Sequence, residues 1–336
     1  MVAAVISLTG LGFIAALGLG VASRKFHVEV DPRQEVVEGI LPSLNCGACG
    51  YAGCTGFAEG LLAGEAEVTG CAPGGETVAK GLAQFLGLEV GDMVRQVAVL
   101  RCGGGHGKAV MEAEYLGVRD CRAAILVGGG GKACRYSCVG YGTCEVVCPF
   151  DAIVMAPPGS PQEGLPIVDN DKCTACNKCV VACPRDVLAL EPVDHQVRVW
   201  CSSKDKGGRV RKVCSVGCNG CGICGKVCPV DAITVDNFLA SIDPVKCIEC
   251  GLCAANCPTD SIGDRMAPRR PVMISDACNG CTICAKVCPV DAIVGEARLL
   301  HVVDPDTCVG CLLCVERCKP EAISVAGTRF PAAVAR

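Results

Sequence analysis

Cysteine recurs along this chain at one fixed spacing, and that spacing constrains the fold more than any other feature. Four stretches carry C-x2-C-x2-C-x3-C-P in full: Cys173, Cys176, Cys179 and Cys183-Pro184; Cys218, Cys221, Cys224 and Cys228-Pro229; Cys247, Cys250, Cys253 and Cys257-Pro258; Cys278, Cys281, Cys284 and Cys288-Pro289. A fifth, Cys308, Cys311, Cys314 and Cys318, has Lys319 pushed in before Pro320. A sixth keeps Cys138, Cys144 and Cys148-Pro149 but has Tyr141 where the second cysteine belongs. Similar tails follow the prolines, as in Pro149-Phe150-Asp151-Ala152-Ile153 and Pro229-Val230-Asp231-Ala232-Ile233. Each copy is a small supersecondary piece that cannot bury a core by itself and must combine with a neighbour.

Disulfides, zinc and iron–sulfur clusters compete to explain so much cysteine. The chain has 32 Cys among 336 residues but only 7 Phe, 4 Tyr and 1 Trp, so its ordinary apolar core is thin. Disulfide scaffolds are small secreted chains with irregular, well-separated cysteines, unlike these tight repeats. Zinc usually takes two C-x2-C pairs held apart by a knuckle, not four cysteines in one short loop ending in proline. The observed run is that of bacterial two-cluster ferredoxins, whose first three thiolates bind one [4Fe–4S] cube while the fourth reaches the neighbouring one. Proline closes the loop, because its fixed φ and missing N–H prevent a regular helix from continuing. A short helical turn and a strand complete each half; Ile233–Val235 and Ile323–Val325 read as such strands.

Pairing consecutive halves predicts ferredoxin units near 134–192, at 214–264 and at 274–326. The first contains a loop at Pro157-Pro158-Gly159-Ser160-Pro161. The crossing rule groups Cys218, Cys221 and Cys224 with Cys257, and Cys247, Cys250 and Cys253 with Cys228. In the third unit it groups Cys278, Cys281 and Cys284 with Cys318, and Cys308, Cys311 and Cys314 with Cys288. In the first, Cys173, Cys176 and Cys179 take Cys148. The incomplete run either holds a three-iron cluster or borrows Cys134, and counting thiols favours the loan. Cys134, Cys138, Cys144 and Cys183 then form one set, leaving Cys102, Cys121, Cys201 and Cys214 as a further set or as buried structural thiols.

Towards the N-terminus, Cys46, Cys49, Cys54 and Cys71 form another compact set, with glycines that let backbone wrap a cluster closely. Zinc is the alternative there, and the surrounding iron–sulfur runs decide against it. About eight [4Fe–4S] clusters are expected in all. Val2–Ala22 is free of charge, long enough to cross a bilayer, and followed at once by Arg24 and Lys25, which places the rest of the chain on the cytoplasmic side. The expected fold class is therefore α+β, a transmembrane helix followed by small iron–sulfur domains that include three tandem two-cluster ferredoxin-like units. The expected divisions are 1–25 (anchor), 33–75 (four-cysteine domain), 95–213 (ferredoxin unit with cluster-binding insertions), 214–264 and 274–326.

Other chemistries find little support. The glycine-rich segments 102–109 and 128–133 lack the first glycine and the Ser/Thr of a P-loop and read as turns beside clusters. His27, His106, His195 and His301 are scattered, and no acid–base pair or nucleophile stands out, so catalytic residues are not expected. A net charge of -4 gives no field for nucleic acid. Two local segments are basic, Lys204–Lys212 and Arg265–Arg270. The first is the expected dock for an acidic redox partner, through Lys206, Arg209, Arg211 and Lys212. The second reads first as a solvated linker.

The order of these features, an anchor, the Cys46/Cys49/Cys54/Cys71 domain, the Cys102–Cys148 region and successive ferredoxin runs, resembles the B subunit of the Rnf complex over nearly the full length. That complex is the ion-translocating ferredoxin:NAD oxidoreductase. The third ferredoxin unit departs from the shorter members. The resemblance implies a single-pass protein of the cytoplasmic membrane that takes electrons from reduced ferredoxin and passes them to membrane and flavin- or NAD-binding subunits. NAD would bind elsewhere, in keeping with the missing nucleotide motifs. The competing class is the electron-transfer arm of a hydrogenase or another ferredoxin-linked reductase, which usually lacks both the anchor and the 46–71 set.

Overall fold

The computed structural model describes residues 2–25, 31–91, 93–266 and 269–325, without the side chains of 2–8 and 11. The chain divides into two compact units, Met1–Asp92 and Met93–Arg336.

In the first unit, α1 (Val2–Lys25) is an unbroken helix of 24 residues whose last turn carries Arg24 and Lys25. Phe13, Ile14, Leu17, Leu19 and Val21 are exposed along it. Among the described residues no helix is long and apolar enough to cross a membrane. The side chains described for α1 run only from Thr9, so they cover part of the uncharged stretch. His27 lies outside the described residues. Next, α2 (Pro32–Ile40) starts with Pro32 in its first turn, and the Asp31 carboxylate accepts the Arg33 N–H at 2.8 Å. Helices α3 (Gly53–Leu62) and α4 (Gly75–Leu86) close over Val37, Phe57, Leu61 and Leu82, all fully or almost fully buried. Gly87, left-handed at φ 70°, ends α4.

The second unit repeats one plan three times: an opening strand, a cysteine run, a central hairpin, a second run, and a closing strand that returns antiparallel to the first. The first repeat contains β1 (Gln96–Leu100), α5 (Cys121–Leu126), α6 (Thr143–Val146), β2 (Ile153–Met155), β3 (Pro166–Val168), α7 (Lys178–Ala182) and β4 (Leu188–Pro192). Its β1 and β4 pair from Gln96↔Pro192 to Leu100↔Leu188. The second repeat contains β5 (Val197–Val199), α8 (Gly207–Val213), α9 (Ile223–Lys226), β6 (Ile233–Asp236), β7 (Leu239–Ile242), α10 (Leu252–Ala255) and β8 (Ile262–Asp264). The third contains β9 (Val272–Ile274), α11 (Ile283–Val287), β10 (Ile293–Val294), β11 (Val302–Val303), α12 (Leu313–Glu316) and β12 (Ile323–Val325). Strands β5 and β8 pair around Arg198↔Gly263, and β9 and β12 around Met273↔Ser324. The strands expected after Ile233 and Ile323 are present, and the Pro157–Pro161 loop joins β2 to β3.

The structure moves one expected boundary. The second repeat opens at Val197 rather than at 214, because β5 supplies the partner that β8 needs. Cysteine spacing locates the runs but not an opening strand that a long insertion separates from them; such insertions follow β1 and β5, whereas β9 leads almost directly to Cys278.

Two backbone positions explain why runs of different sequence fold alike. The residue after the second cysteine position is left-handed in every copy: Gly142, Asn177, Gly222, Gly251, Thr282 and Leu312, with φ between 62° and 76°. It turns the loop into a short helix whose first turn carries the third cysteine, so this helix precedes the fourth cysteine. The third residue after the fourth cysteine is also left-handed: Asp151, Asp186, Asp231, Asp260, Asp291 and Glu321, with φ between 48° and 52°. Aspartate tolerates that conformation better than most residues with a side chain. Glu321 holds the same place, so Lys319 is a substitution in the fifth run and not an insertion.

Candidate metal centres in a row of cysteine quartets

The backbone N–H four residues after the last cysteine of a run points back at that sulfur. Ala152 donates to Cys148 Sγ at 3.4 Å, Ala232 to Cys228 at 3.3 Å, Ala292 to Cys288 at 3.2 Å and Ala322 to Cys318 at 3.3 Å. The left-handed Asp or Glu just before this residue produces the geometry. The fourth sulfur is thereby turned away from its own run and towards the other run of its repeat.

Four cavities are each lined by four cysteines. One takes Cys148, Cys173, Cys176 and Cys179; a second takes Cys121, Cys138, Cys144 and Cys183; a third takes Cys102, Cys134, Cys201 and Cys214; a fourth takes Cys218, Cys221, Cys224 and Cys257. Cys250 and Cys253 interact electrostatically with Cys228 and Cys247, and Cys311 and Cys314 with Cys288 and Cys308, which defines two more quartets. Cys284 interacts with Cys278 and Cys281, and Cys318 packs against the core that contains Cys284. In the N-terminal unit Cys71 faces Cys54, Cys46 and Cys49.

Sequence spacing groups Cys134 with Cys138, Cys144 and Cys183, and Cys121 with Cys102, Cys201 and Cys214. The structure exchanges these two. Cys121 opens α5, whose cap Asp120 is tied through its carboxylate to the Thr143 hydroxyl at 3.0 Å, and Thr143 Oγ1 accepts the Cys121 N–H at 2.8 Å. These bonds pin Cys121 beside Cys144, in the space left by Tyr141, whose ring stacks edge-on with Tyr115. Cys134 instead packs with Val213 and Cys214. Nearness in sequence points to Cys134 as the replacement, but a helix start from farther upstream fills the place.

Most of the quartet sulfurs are buried or half-buried, with Cys221 and Cys281 exposed. Burial first, then neighbouring sulfurs, push Cys144 up to about 12, and Cys179, Cys253 and Cys314 likewise to about 12. Four converging thiolates repel one another. A cationic iron–sulfur core removes that penalty while displacing the protons. The residues therefore fit [4Fe–4S] clusters. Cys257 moves in the opposite direction, to below the ordinary thiol value. Burial raises it, but the Ser261 hydroxyl at 3.3 Å and backbone N–H groups of Thr259, Ile262 and Ser261 more than offset this.

Neighbouring quartets lie near one another, and their proximity defines an order. Cys179 of the first senses Cys144 of the second. The Cys138 N–H of the second donates to Cys102 Sγ of the third at 3.4 Å. The backbone of Cys218, in the fourth, hydrogen-bonds the Cys201 sulfur of the third. Cys224 of the fourth lies beside Cys253 of the next, and Cys250 of that quartet beside Cys311. In the third repeat Cys284 and Cys314 share one core, which completes a row of seven within Met93–Arg336.

Several residues that build this row had no distinctive sequence signal. Trp200, the single tryptophan, joins the first repeat to the second: its carbonyl accepts the Gly103 N–H at 2.8 Å and its N–H donates to the Ser261 carbonyl at 2.7 Å. Its ring packs so closely on Gly263 that an added Cβ would collide with it. Lys132, buried at the end of the glycine-rich 128–131 turn, donates to the Gly104 carbonyl at 2.9 Å, and its charge acts on both Cys138 and Cys214. The glycine segments are indeed turns beside the quartets. Buried His195 pairs with half-buried Glu249 next to Cys247, and the other Glu249 oxygen accepts the N–H groups of Gln196 at 2.9 Å and Val197 at 2.8 Å. His106 pairs with Glu163 on the surface, while His301 is a packing residue. Arg269, expected in a solvated linker, is instead a clamp: it binds Asp264 and donates to the carbonyls of Glu249 at 2.7 Å and Gly310 at 3.3 Å, fastening the third repeat to the second.

Comparison with known proteins finds iron–sulfur families along the chain. A family described as "Putative Fe-S cluster" matches residues 41–73. Families described as "4Fe-4S dicluster domain" match 137–187, 172–232 and 217–261, then 240–294 and 270–319. The B subunit of the Na(+)-translocating ferredoxin:NAD(+) oxidoreductase complex of Acetobacterium woodii is 42% identical over 232 residues, 69% of this chain and 68% of its own length. The proton-translocating counterpart of Clostridium ljungdahlii is 45% identical, covering 70% of this chain and 82% of its own. The B subunit of the ion-translocating oxidoreductase complex of Methanosarcina acetivorans is 40% identical, covering 71% and 89%.

Proposed function

The chain belongs to the B-subunit family of the ion-translocating ferredoxin:NAD oxidoreductases, the Rnf complexes, and we propose that it relays single electrons from reduced ferredoxin along its row of quartets to partner subunits. It is the iron–sulfur electron-transfer subunit of such a complex. The nearness of each quartet to the next, from Cys148/Cys173/Cys176/Cys179 to Cys278/Cys281/Cys284/Cys318, is the observation that supports the relay.

Each of the eight quartets, the N-terminal Cys46/Cys49/Cys54/Cys71 set included, holds one [4Fe–4S] cluster, which supplies one-electron exchange when bound. The chain's own residues do the rest. Cysteines fix the cubes, backbone N–H groups and Ser261 donate to the sulfurs, and buried Lys132 places a positive charge between the second and third quartets. Redox potential responds to such hydrogen bonds, to charge and to burial. NAD and flavin bind on other subunits. The uncharged Val2–Ala22 stretch supports reading α1 as the membrane anchor. Arg24 and Lys25 keep the cluster-bearing part on the cytoplasmic side.

Anaerobic titration of the full chain with reduced ferredoxin tests the relay. About eight electrons should be taken up per chain, with cluster absorbance bleaching in proportion. Uptake of only one or two would mean that most quartets stand outside the path.

A further inference from the structure

The charge of the second repeat is concentrated over one quartet. Helix α8 and the turn before it, residues 204–212, carry Lys204, Lys206, Arg209, Arg211 and Lys212 against the single acid Asp205, in a chain of net charge -4. All five basic residues are exposed, while Asp205 is buried. Asp205 is also bridged to two cations, Arg209 at 3.3 Å and Arg135 at 3.0 Å, so it holds the exposed guanidinium groups in place and presents little negative charge of its own.

The inner face of the same helix is part of a cluster site. Val210 is buried and lines the cavity with Cys102, Cys134, Cys201 and Cys214, and Cys214 is the residue that ends α8. A molecule seated on the basic face is therefore separated from this quartet by little more than one helix, about 10 Å across. The far end of the row differs. From 271 to 325, the third repeat has seven acidic residues and four basic ones.

We propose that α8 is the docking surface for an acidic one-electron carrier of the ferredoxin type, and that electrons enter the row at its third quartet and not at either end. This rests on the relay reading above. A cube held by four thiolates is anionic, and more so once reduced, so the reduced carrier is drawn to a cationic face and released more readily after oxidation. In the step itself one electron leaves the carrier and one arrives at the group held by Cys102, Cys134, Cys201 and Cys214. The carrier is oxidised and that group reduced, with no bond or proton exchanged. Entry at the third position leaves two quartets on one side and four on the other, so the third repeat lies on the longer arm.

The test is the triple variant Lys206→Glu, Arg211→Glu, Lys212→Glu in the full chain, which spares Arg135 and Arg209 with their Asp205 bridges. Stopped-flow reduction by reduced ferredoxin is measured across ionic strengths, with dithionite as a small reductant for comparison. The ferredoxin rate should fall about tenfold or more at low salt and lose most of its salt dependence, while the dithionite rate and iron content stay at the wild-type level. Replacing the same three positions by the alternative cation, Lys→Arg or Arg→Lys, should preserve the rate. An unchanged ferredoxin rate and salt slope in the charge-reversed chain would overturn the docking site while leaving the relay intact. Failure of ferredoxin to reduce even the wild-type chain would overturn both.

Discussion

Replacing Ser261 by alanine should lower the potential of the cluster held by Cys218, Cys221, Cys224 and Cys257. Most other runs have Ala at this position, as in Ala152, Ala232, Ala292 and Ala322, so their last sulfur has only backbone donors nearby. Ser261 adds a hydroxyl 3.3 Å from Cys257 Sγ and is itself 2% exposed, so water does not compete for the contact. When Cys257 binds iron its sulfur carries no proton, and the hydroxyl must be the donor. Such a bond favours the reduced, more negative cluster. A net contribution of about 0.5–1.5 kcal/mol per hydrogen bond corresponds to about 20–60 mV for a one-electron couple. The Ser261→Ala potential should therefore be more negative by that amount in an anaerobic redox titration followed by electron paramagnetic resonance. Iron content should be unchanged, and Ser261→Thr should restore the potential. An unchanged midpoint, or a shift to more positive values, would refute the claim that the hydroxyl donates to this sulfur.

Cys121→Ser should alter the signal of the cluster that includes Cys144, and Cys134→Ser that of the cluster that includes Cys214; the reverse pattern, read by resonance spectra of the two single variants, would restore the grouping expected from sequence. Deletion of residues 1–25 should release a soluble protein that keeps all its iron, because α1 holds no cysteine, and flotation with lipid vesicles should be lost. If the shortened chain still floats, another part binds the membrane.

The repeats are legible in the sequence because thiolate spacing is tied to the size of a cube. The crossing of the fourth cysteine is legible too, since that position faces the partner run in all three repeats. Long-range replacements are not. Nothing near Cys121 announces that Asp120 and Thr143 will carry it into the place vacated at Tyr141. Strand β5 is hidden because three residues hold no usable alternation, and the insertion after it separates it from its run. Arg269 reads as surface charge, since burial of an arginine depends on partners such as Asp264 and the Gly310 carbonyl that only the assembled repeats bring together. Basic residues at 204–212 are plain in the sequence, but their position above the third quartet is not.

Iron determination on the anaerobically purified chain shows whether every quartet carries a four-iron cluster. Eight quartets filled by four-iron clusters give about 32 iron atoms per chain, without zinc. A ratio near 24 in fully loaded protein would remove two quartets and break the row, and zinc at one or more equivalents per chain would contradict the account.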